Sequence, residues 1–287
     1  MSSAIAPGAA GDALQAATDA IAAAGSDTAR LDAELLLCEA TGWDRSQILA
    51  EPDLRLPVGA SREFGAMVRR RVRREPVAYI LGRKAFRRVE LLVDRRVLIP
   101  RPETELLVEV AVELAGRTDD RALRVLDVGT GSGAVGLAVA DEISGASVVA
   151  IDTSQGALGV AQANADRLGL SDRVEVVSAG VASLPEGPFH LVLANLPYVS
   201  EAEWAGLEPE IREYEPREAL VAGSTGLEAI ESLLATVAVL EQRPRALALE
   251  IGAEQAAAVE RLTRDSGYTE VVIRQDLAGL DRLVVAR

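Results

Sequence analysis

A glycine-rich loop that follows a short apolar run most constrains the fold of this chain. The run is Val125-Leu126-Asp127-Val128, the loop is Gly129-Thr130-Gly131-Ser132-Gly133, and a helical pattern begins at Ser132. Glycines between a strand and a helix let the backbone approach a bound molecule closely, because no Cβ atom stands in the way. The sequence therefore predicts a strand, a ligand-binding turn and a helix in that order.

Strand-like and helix-like segments alternate from Arg124 onward, which is typical of a doubly wound, mostly parallel sheet. Further strand-like runs occupy Ser147–Ile151, Arg173–Val177, Leu191–Ala194 and Leu247–Ile251. The end of the chain differs, since Glu270–Arg274 and Arg282–Ala286 are joined by a short polar turn and predict a hairpin. We therefore predict an α/β, Rossmann-like fold with a C-terminal antiparallel hairpin.

The first part of the chain has a helical pattern. Residues 1–76 contain three helical segments, the last of which is ended by Pro76, and they predict a small N-terminal helical bundle. In the second segment Leu31, Leu35 and Cys38 recur at helical spacing and predict its buried stripe.

A linker and a second domain are predicted to follow the helical bundle. In residues 77–100 the β-like segments Phe86–Val93 and Val97–Ile99 predict a linker that contains a β-hairpin. Residues 101–287 then form the α/β domain.

Charge is unevenly distributed along the sequence. Residues 1–100 carry 15 basic and 13 acidic side chains, whereas residues 101–287 carry 15 and 31, a net charge of −16. An acidic C-terminal half repels nucleic acid over most of its surface, so nucleic acid is disfavoured as a partner. The basic side chains concentrate in an arginine cluster at Arg69, Arg70, Arg71, Arg73, Arg74, Arg83, Lys84, Arg87 and Arg88. This cluster is either a solvated helix face or a docking surface for an acidic partner.

Composition also bears on location and on metal binding. The chain has no uncharged apolar run of about 18 residues or more and no secretion signal at its start, so we expect a cytoplasmic protein without a membrane partner. The single cysteine, Cys38, is expected to pack in a core. The single histidine, His190, has no metal-ligating neighbours at suitable spacing, so no metal site is expected.

The spacing of the glycines fits two cofactors. Gly131, Gly133 and Gly136 match the dinucleotide fingerprint, and Asp152 follows at the end of the second strand. A carboxylate there can accept hydrogen bonds from ribose hydroxyls. NAD and S-adenosylmethionine both satisfy this pattern.

Asp127 favours S-adenosylmethionine. Its carboxylate is expected to face the cofactor, where it would repel a pyrophosphate but attract an ammonium and a sulfonium. Hydride transfer also lacks a suitable His or Lys at a strand end, since His190 precedes its strand and Lys84 lies in the linker.

A second polar loop, Asn195-Leu196-Pro197-Tyr198, follows the run that ends at Ala194. The Asn195 side-chain oxygen and the Leu196 backbone carbonyl can hold the N–H groups of an amide or amino group and stabilise positive charge that develops on nitrogen. Tyr198 would supply a flat wall, and Pro197 forces Leu196 into an extended conformation. The alternative is a turn with no role in binding.

Four motifs together resemble the HemK/PrmC family of protein glutamine N5-methyltransferases, which modify peptide chain release factors. They are Pro76–Gly82, Leu98–Glu105, Asp127–Gly133 and Glu215–Leu220, and they follow the family's order over nearly the whole chain. The resemblance implies a Rossmann-like class I methyltransferase with S-adenosylmethionine as donor. It also implies that the acceptor is the glutamine of the Gly-Gly-Gln motif in class I release factors, and that the N-terminal helices recognise the substrate.

The resemblance assigns site residues by position. The acceptor residues are Asn195, Leu196, Pro197 and Tyr198. The donor residues carried over by position are Gly129, Thr130, Gly131, Ser132, Gly133 and Asp152. Asp127, from its charge, and Asn195 are expected at the donor as well. The stretch Ile99–Glu105 is expected to lie near the active site.

Two departures from the family pattern keep other functions open. Leu196 replaces the first proline of the usual Asn-Pro-Pro-Tyr, and the resulting string resembles that of ribosomal RNA adenine dimethylases. Ser178-Ala179-Gly180 stands where relatives place an acidic and an aromatic residue near the adenine. The alternatives are an amino-group methyltransferase that acts on RNA or DNA, and a binding module that keeps donor affinity but has weakened catalysis.

Overall fold

The computed structural model describes residues 8–117 and 122–287. The chain divides after Gly82 into two compact units. The division falls inside the segment 77–100 that the sequence predicts as a linker, and the hairpin of that segment belongs to the second unit. No described helix has the length and apolar character needed to cross a bilayer.

The first unit is a small helical bundle. Its helices are α1 (Ala10–Ala23), α2 (Ala29–Thr41), α3 (Arg45–Ala50), α4 (Val58–Val72) and α5 (Val77–Leu81). Leu14, Ile21, Leu36, Leu37 and Phe64 form the centre of its core. The two short helices, α3 and α5, were not predicted because neither is long enough to show a helical period.

The predicted buried stripe of α2 is wrong in its phase. Leu31 and Leu35 are 41% and 39% exposed, while Ala33 and Leu36 are fully buried. The run of leucines from 35 to 37 allows two neighbouring helix phases, and the phase that places Ala33 in the core lets the helices approach closely. Cys38 is partly buried against this core.

Part of the arginine cluster is internal to the bundle. Arg71 is 5% exposed and its Nε donates to Asp32 Oδ2 at 2.7 Å. Arg70 makes two hydrogen bonds to the Glu75 carboxylate, each 2.8 Å long. These arginines stabilise the fold, and neither of the two predicted roles describes them.

The second unit begins with a hairpin of β1 (Arg83–Phe86) and β2 (Val89–Leu92). The hairpin predicted for this segment is present, but its strand bounds differ: the predicted strand Phe86–Val93 contains β2 and the turn before it, and the predicted strand Val97–Ile99 is wrong. The chain turns at Arg87, which has a φ of 52°, and the backbone N–H of Ile99 donates to a carboxylate instead of a strand.

A seven-stranded sheet forms the centre of the second unit. Its strands are β3 (Leu123–Val128), β4 (Ala146–Asp152), β5 (Val174–Ser178), β6 (Leu191–Ala194), β9 (Ala246–Glu250), β10 (Val271–Gln275) and β11 (Asp281–Ala286). Their order across the sheet is β10-β11-β9-β6-β3-β4-β5. A separate small pair consists of β7 (Val199–Ser200) and β8 (Val221–Gly223).

Five neighbouring strands of the large sheet, from β9 to β5, are parallel, whereas β11 pairs antiparallel with both β9 and β10. This confirms the predicted fold class, including the antiparallel strand that the C-terminal hairpin inserts.

Helices of the second unit are α6 (Glu105–Arg117), α7 (Ala134–Glu142), α8 (Gln155–Leu168), α9 (Glu201–Trp204), α10 (Pro209–Tyr214), α11 (Glu228–Ala238) and α12 (Ala256–Asp265). Two separate apolar clusters cover the sheet, one that includes α6 and α7 and one that includes α11 and α12. Because β9, β6, β3 and β4 are parallel, their carboxyl ends and the loops that follow lie at one edge of the sheet.

Candidate functional site

One pocket collects loops that follow β3, β4, β5 and β6. Its lining includes Gly129, Gly131, Asp152, Ala179, Gly180, Asn195, Leu196 and Pro197. In an open α/β sheet the carboxyl ends of the parallel strands are where ligands bind. The structure thus brings the two predicted loops together in a single pocket.

The glycine loop follows β3 in a conformation that favours glycine. Gly129, Gly131 and Gly133 have φ values of 73°, 55° and 84°, all in the left-handed region. A Cβ atom on Gly129 would lie 3.2 Å from Leu196 Cδ2 and 3.4 Å from the Asn195 carbonyl oxygen. Glycine at 129 therefore allows the two loops to touch.

Asp127 lies beneath the glycine loop and is not among the residues that line the pocket. Its side chain is buried, and Oδ2 accepts from Thr130 Oγ1 at 2.6 Å and from the Gly136 N–H at 3.0 Å. Burial raises the pKa of Asp127 to about 6, against the effect of these two hydrogen bonds. Two loop donors thus hold Oδ2, and the expectation that this carboxylate faces the cofactor stays a prediction.

Thr130, Ser132 and Gly133 also shape the loop without lining the pocket. Thr130 and Ser132 are buried, and Gly133 is the N-cap of α7. Asn164 on α8 supports them: its Nδ2 donates to the Ser132 carbonyl at 2.9 Å, and its Oδ1 accepts from the Leu92 N–H at 2.7 Å. Sequence reasoning missed Asn164, since an asparagine inside a helix carries no motif.

Asp152 ends β4 and reaches the pocket. Its Oδ2 accepts from the Gly131 N–H at 3.0 Å, and its Oδ1 accepts from the Ser154 N–H at 2.9 Å. Each carboxylate oxygen has two lone pairs, so both retain capacity to accept from a ligand hydroxyl. The backbone bonds fix the carboxylate in one orientation.

Asn195 follows β6 and is half-buried at the pocket. Its Nδ2 donates to Thr104 Oγ1 at 3.0 Å, while its Oδ1 accepts no hydrogen bond from the residues that the structure describes. The side chain thus offers an acceptor oxygen beside the glycine loop. Sequence reasoning placed Thr104 near the site within the motif Leu98–Glu105 but gave it no role.

The rest of the second loop divides between pocket and core. Leu196 and Pro197 line the pocket. Leu196 is also part of the core, with only 5% of its surface exposed. Tyr198 is not among the lining residues, and its backbone carbonyl accepts from Gln255 Nε2 at 3.0 Å. Burial raises the pKa of the Tyr198 phenol.

Glu215 joins two of the four sequence motifs. It is 6% exposed, accepts from the Ile99 N–H at 3.1 Å and pairs with Arg101 at 2.5 Å. Thr104, the partner of Asn195, lies just after Arg101 in the chain. The Glu215 carboxylate therefore anchors the segment that carries Thr104. The sequence signal was the motif that begins at Glu215.

The residues that the structure describes contain no group of three or more His, Cys, Asp or Glu side chains arranged to hold a metal ion. The only histidine, His190, accepts through Nδ1 from the Arg124 backbone N–H at 2.9 Å.

Comparison with protein families gives two matches. Residues 12–82 match the PrmC N-terminal domain, and residues 125–214 match the methyltransferase domain.

Similar curated proteins extend over most of the chain. A release factor glutamine methyltransferase of Chlorobaculum tepidum is 42% identical over 264 residues, which cover 89% of each chain. Another of the same name from Coxiella burnetii is 40% identical over 91% of this chain and 93% of its own. A third, from Nitratidesulfovibrio vulgaris, is 39% identical over 96% of this chain and 93% of its own.

Solved structures share the fold at low sequence identity. The catalytic domain of hMettl16 in complex with MAT2A 3'UTR hairpin 6 has a TM-score of 0.57 at 18% identity, and covers 68% of this chain and 75% of that chain. The N-terminal domain of human METTL16 in complex with SAH has a TM-score of 0.51 at 19% identity, and covers 68% and 75%.

Proposed function

Because the chain belongs to the release factor glutamine methyltransferase family, we propose that it methylates the side-chain amide nitrogen of a glutamine in a release factor. The methyl donor is S-adenosylmethionine. The resemblance to the HemK/PrmC family that the motifs indicated is confirmed. The acceptor we propose is the glutamine of the Gly-Gly-Gln motif in class I release factors.

The donor site fits the chemistry of S-adenosylmethionine. Asp152 offers fixed carboxylate oxygens for ribose hydroxyls. The glycine loop leaves open space at Gly131, where a Cβ atom would lie more than 4 Å from every described residue other than its chain neighbours. When bound, the donor supplies an electrophilic methyl group on a sulfonium. Gly129, Gly131 and Asp152 would hold it.

The acceptor loop gives the proposal its strongest support. Asn195 presents Oδ1 beside the donor pocket while its Nδ2 is held by Thr104. An amide nitrogen is a weak nucleophile because its lone pair is delocalised into the carbonyl. Acceptance of its N–H groups by Asn195 Oδ1 and the Leu196 carbonyl would fix the direction of that lone pair and stabilise the positive charge that develops on nitrogen.

The proposal is tested by substrate choice. The full chain is incubated with S-adenosylmethionine labelled in its methyl group and, separately, with a class I release factor, ribosomal RNA or DNA. We expect label on the release factor alone, and no label when the glutamine of its Gly-Gly-Gln motif is replaced by glutamate. Label on RNA or DNA but not on the release factor would overturn the proposal.

We also propose that the helical unit, residues 1–82, contacts the release factor. Arg62 and Arg69 are exposed and lie seven residues apart, on the same side of α4. They are better probes of docking than Arg70 or Arg71, which are paired within the bundle.

Replacement of both Arg62 and Arg69 by Ser is expected to lower kcat/KM for the release factor a fewfold at low salt, with kcat unchanged, because charge at an interface edge acts mainly on association. The loss should shrink as salt screens the charges. The matched control is the exposed Arg261→Ser on α12, which should leave kcat/KM unchanged. Equal kcat/KM for the double variant and the unmodified chain at every salt concentration would remove α4 from the docking surface.

Leu196→Pro is expected to preserve or raise activity on the release factor. The substitution restores the family residue and restricts the backbone of Asn195. Leu196 lies outside helices and strands, and its N–H donates no backbone hydrogen bond in the part of the chain that the structure describes, so proline removes none. Initial rates and thermal unfolding are compared with those of Leu196→Ala, which removes the side chain without adding the restriction. A marked fall in rate for the proline variant alone would indicate that this loop is adapted to another acceptor.

A further inference from the structure

Glu250, the last residue of β9, is a buried carboxylate to which the proposed chemistry gives no role. It is 1% exposed, and within residues 8–117 and 122–287 neither of its carboxylate oxygens accepts a hydrogen bond of ordinary geometry. A buried carboxylate without full hydrogen bonding destabilises a fold substantially. Its position next to the acceptor loop suggests a function that offsets this cost.

The groups around Glu250 belong to the acceptor site. Burial raises the pKa of Glu250 to about 7, and the hydroxyl groups of Thr104 and Tyr198 lie beside it and act in the opposite direction. Of the charged groups nearby, Glu103 raises this pKa further and Arg282 on β11 lowers it. Glu250 is thus adjacent both to the partner of Asn195 and to the aromatic residue of the same loop.

The direction of the hydrogen bonds links Glu250 to Asn195. A hydroxyl group has one proton to donate. If Thr104 donates that proton toward a carboxylate, which only accepts, its oxygen is left to accept from Asn195 Nδ2, and this is the bond seen at 3.0 Å. Asn195 Oδ1 then points away from Thr104.

We infer that Glu250 is a positioning residue that sets the direction of the hydrogen-bond chain from Thr104 to Asn195, so that the Asn195 oxygen faces the acceptor amide. Without an acceptor at position 250, Thr104 can instead donate to Asn195 Oδ1. The carboxamide then turns its NH₂ group toward the substrate, and an NH₂ group cannot accept from an amide N–H. This positioning role rests on the proposed function, because it requires an amide or amino group as acceptor.

Two variants and a conservative control test the role. Glu250→Gln keeps the shape but can donate to Thr104, Thr104→Val removes the hydroxyl, and Thr104→Ser retains it. For each variant we would measure kcat and KM with release factor, the Kd of S-adenosylmethionine, the thermal unfolding temperature and the rate between pH 6 and pH 9.

Glu250→Gln and Thr104→Val are each expected to lower kcat roughly tenfold to thirtyfold, about the effect of one misdirected hydrogen bond. The Kd of S-adenosylmethionine should not change, and Thr104→Ser should keep most of the activity. The double variant should lose little more than either single one, because both interrupt the same chain.

The pH profile and the stability separate positioning from a structural role. Glu250 becomes ionised as the pH rises through about 7, so kcat of the unmodified chain should rise over this range, and Glu250→Gln should remove that rise. The pKa of the folded state lies above the unfolded value of 4.5, so ionisation at pH 8 destabilises the fold. Glu250→Gln should therefore unfold at the same or a higher temperature at pH 8 while it is less active.

Unchanged kcat in Glu250→Gln, an unaltered pH profile, or losses that multiply in the double variant would overturn the positioning role. A fall in activity that accompanies a lower unfolding temperature in both Glu250→Gln and Thr104→Val would also overturn it. The unmodified chain is the internal reference: failure to methylate the release factor would overturn the proposed function itself, whereas activity that Glu250→Gln leaves intact would overturn only the role of Glu250.

Discussion

Asn195→Ala is expected to lower the rate of methyl transfer to the release factor by roughly 10²–10³. The substitution removes the acceptor oxygen that Thr104 and the loop hold beside the donor pocket. It removes no group that shapes the glycine loop, so the Kd of S-adenosylmethionine should change little. The effect should appear in kcat, because the lost bond is strongest when positive charge has developed on the acceptor nitrogen.

Turnover with a purified release factor and titration calorimetry with S-adenosylmethionine decide this prediction together. Gln162→Ala is a suitable control, since it removes a carboxamide from the exposed side of α8. It should have full activity. Near-normal turnover of Asn195→Ala would exclude the proposed grip on the amide, and equal losses in turnover and donor affinity would assign Asn195 to the donor instead.

The fold was predictable because local pattern and global topology agree. A buried parallel strand has a continuous apolar run, and Leu191–Ala194 shows this even in a strand of four residues. The errors fall where local pattern allowed two outcomes. Leu31 and Leu35 suggested one phase of α2, and tertiary packing chose another. The hairpin shifted to Arg83–Leu92 because its turn is formed by an arginine with positive φ, a residue that carries no turn signal.

The candidate site was only partly predictable. Residues in loops at strand ends, such as Asp152 and Asn195, were found because their positions follow from the alternation of strands and helices. The supporting contacts could not be found this way: Thr104 lies 91 positions from Asn195, and Leu92 lies 72 from Asn164. Asp127 was identified from the sequence, but the orientation of its carboxylate depends on hydrogen bonds from the Thr130 hydroxyl and the Gly136 N–H.

The other large effect is expected at the donor site. Asp152→Ala should weaken S-adenosylmethionine binding by roughly 10-fold to 150-fold, the equivalent of about 1.5–3 kcal/mol for lost hydrogen bonds to a charged group. The carboxylate also accepts from the Gly131 and Ser154 N–H groups. Its removal therefore takes a hydrogen-bond acceptor from the loop as well as from the ribose hydroxyls of the donor. At saturating S-adenosylmethionine, kcat should stay near that of the unmodified chain because the acceptor loop is untouched.

Calorimetric titration of S-adenosylmethionine measures this effect, with Asp172→Ala as a matched control that removes an exposed carboxylate outside the pocket. The Kd of S-adenosylmethionine for Asp152→Asn should lie between the values for Asp152→Ala and Asp172→Ala, because asparagine keeps one acceptor oxygen but loses the charge. An unchanged Kd for Asp152→Ala would remove Asp152 from the donor site. The glycine spacing also fits NAD, so the same titration with NAD provides the sharper comparison. NAD should bind more weakly than S-adenosylmethionine to the unmodified chain. Its affinity should not rise in Asp152→Ala, because the carboxylate would serve the ribose of either cofactor.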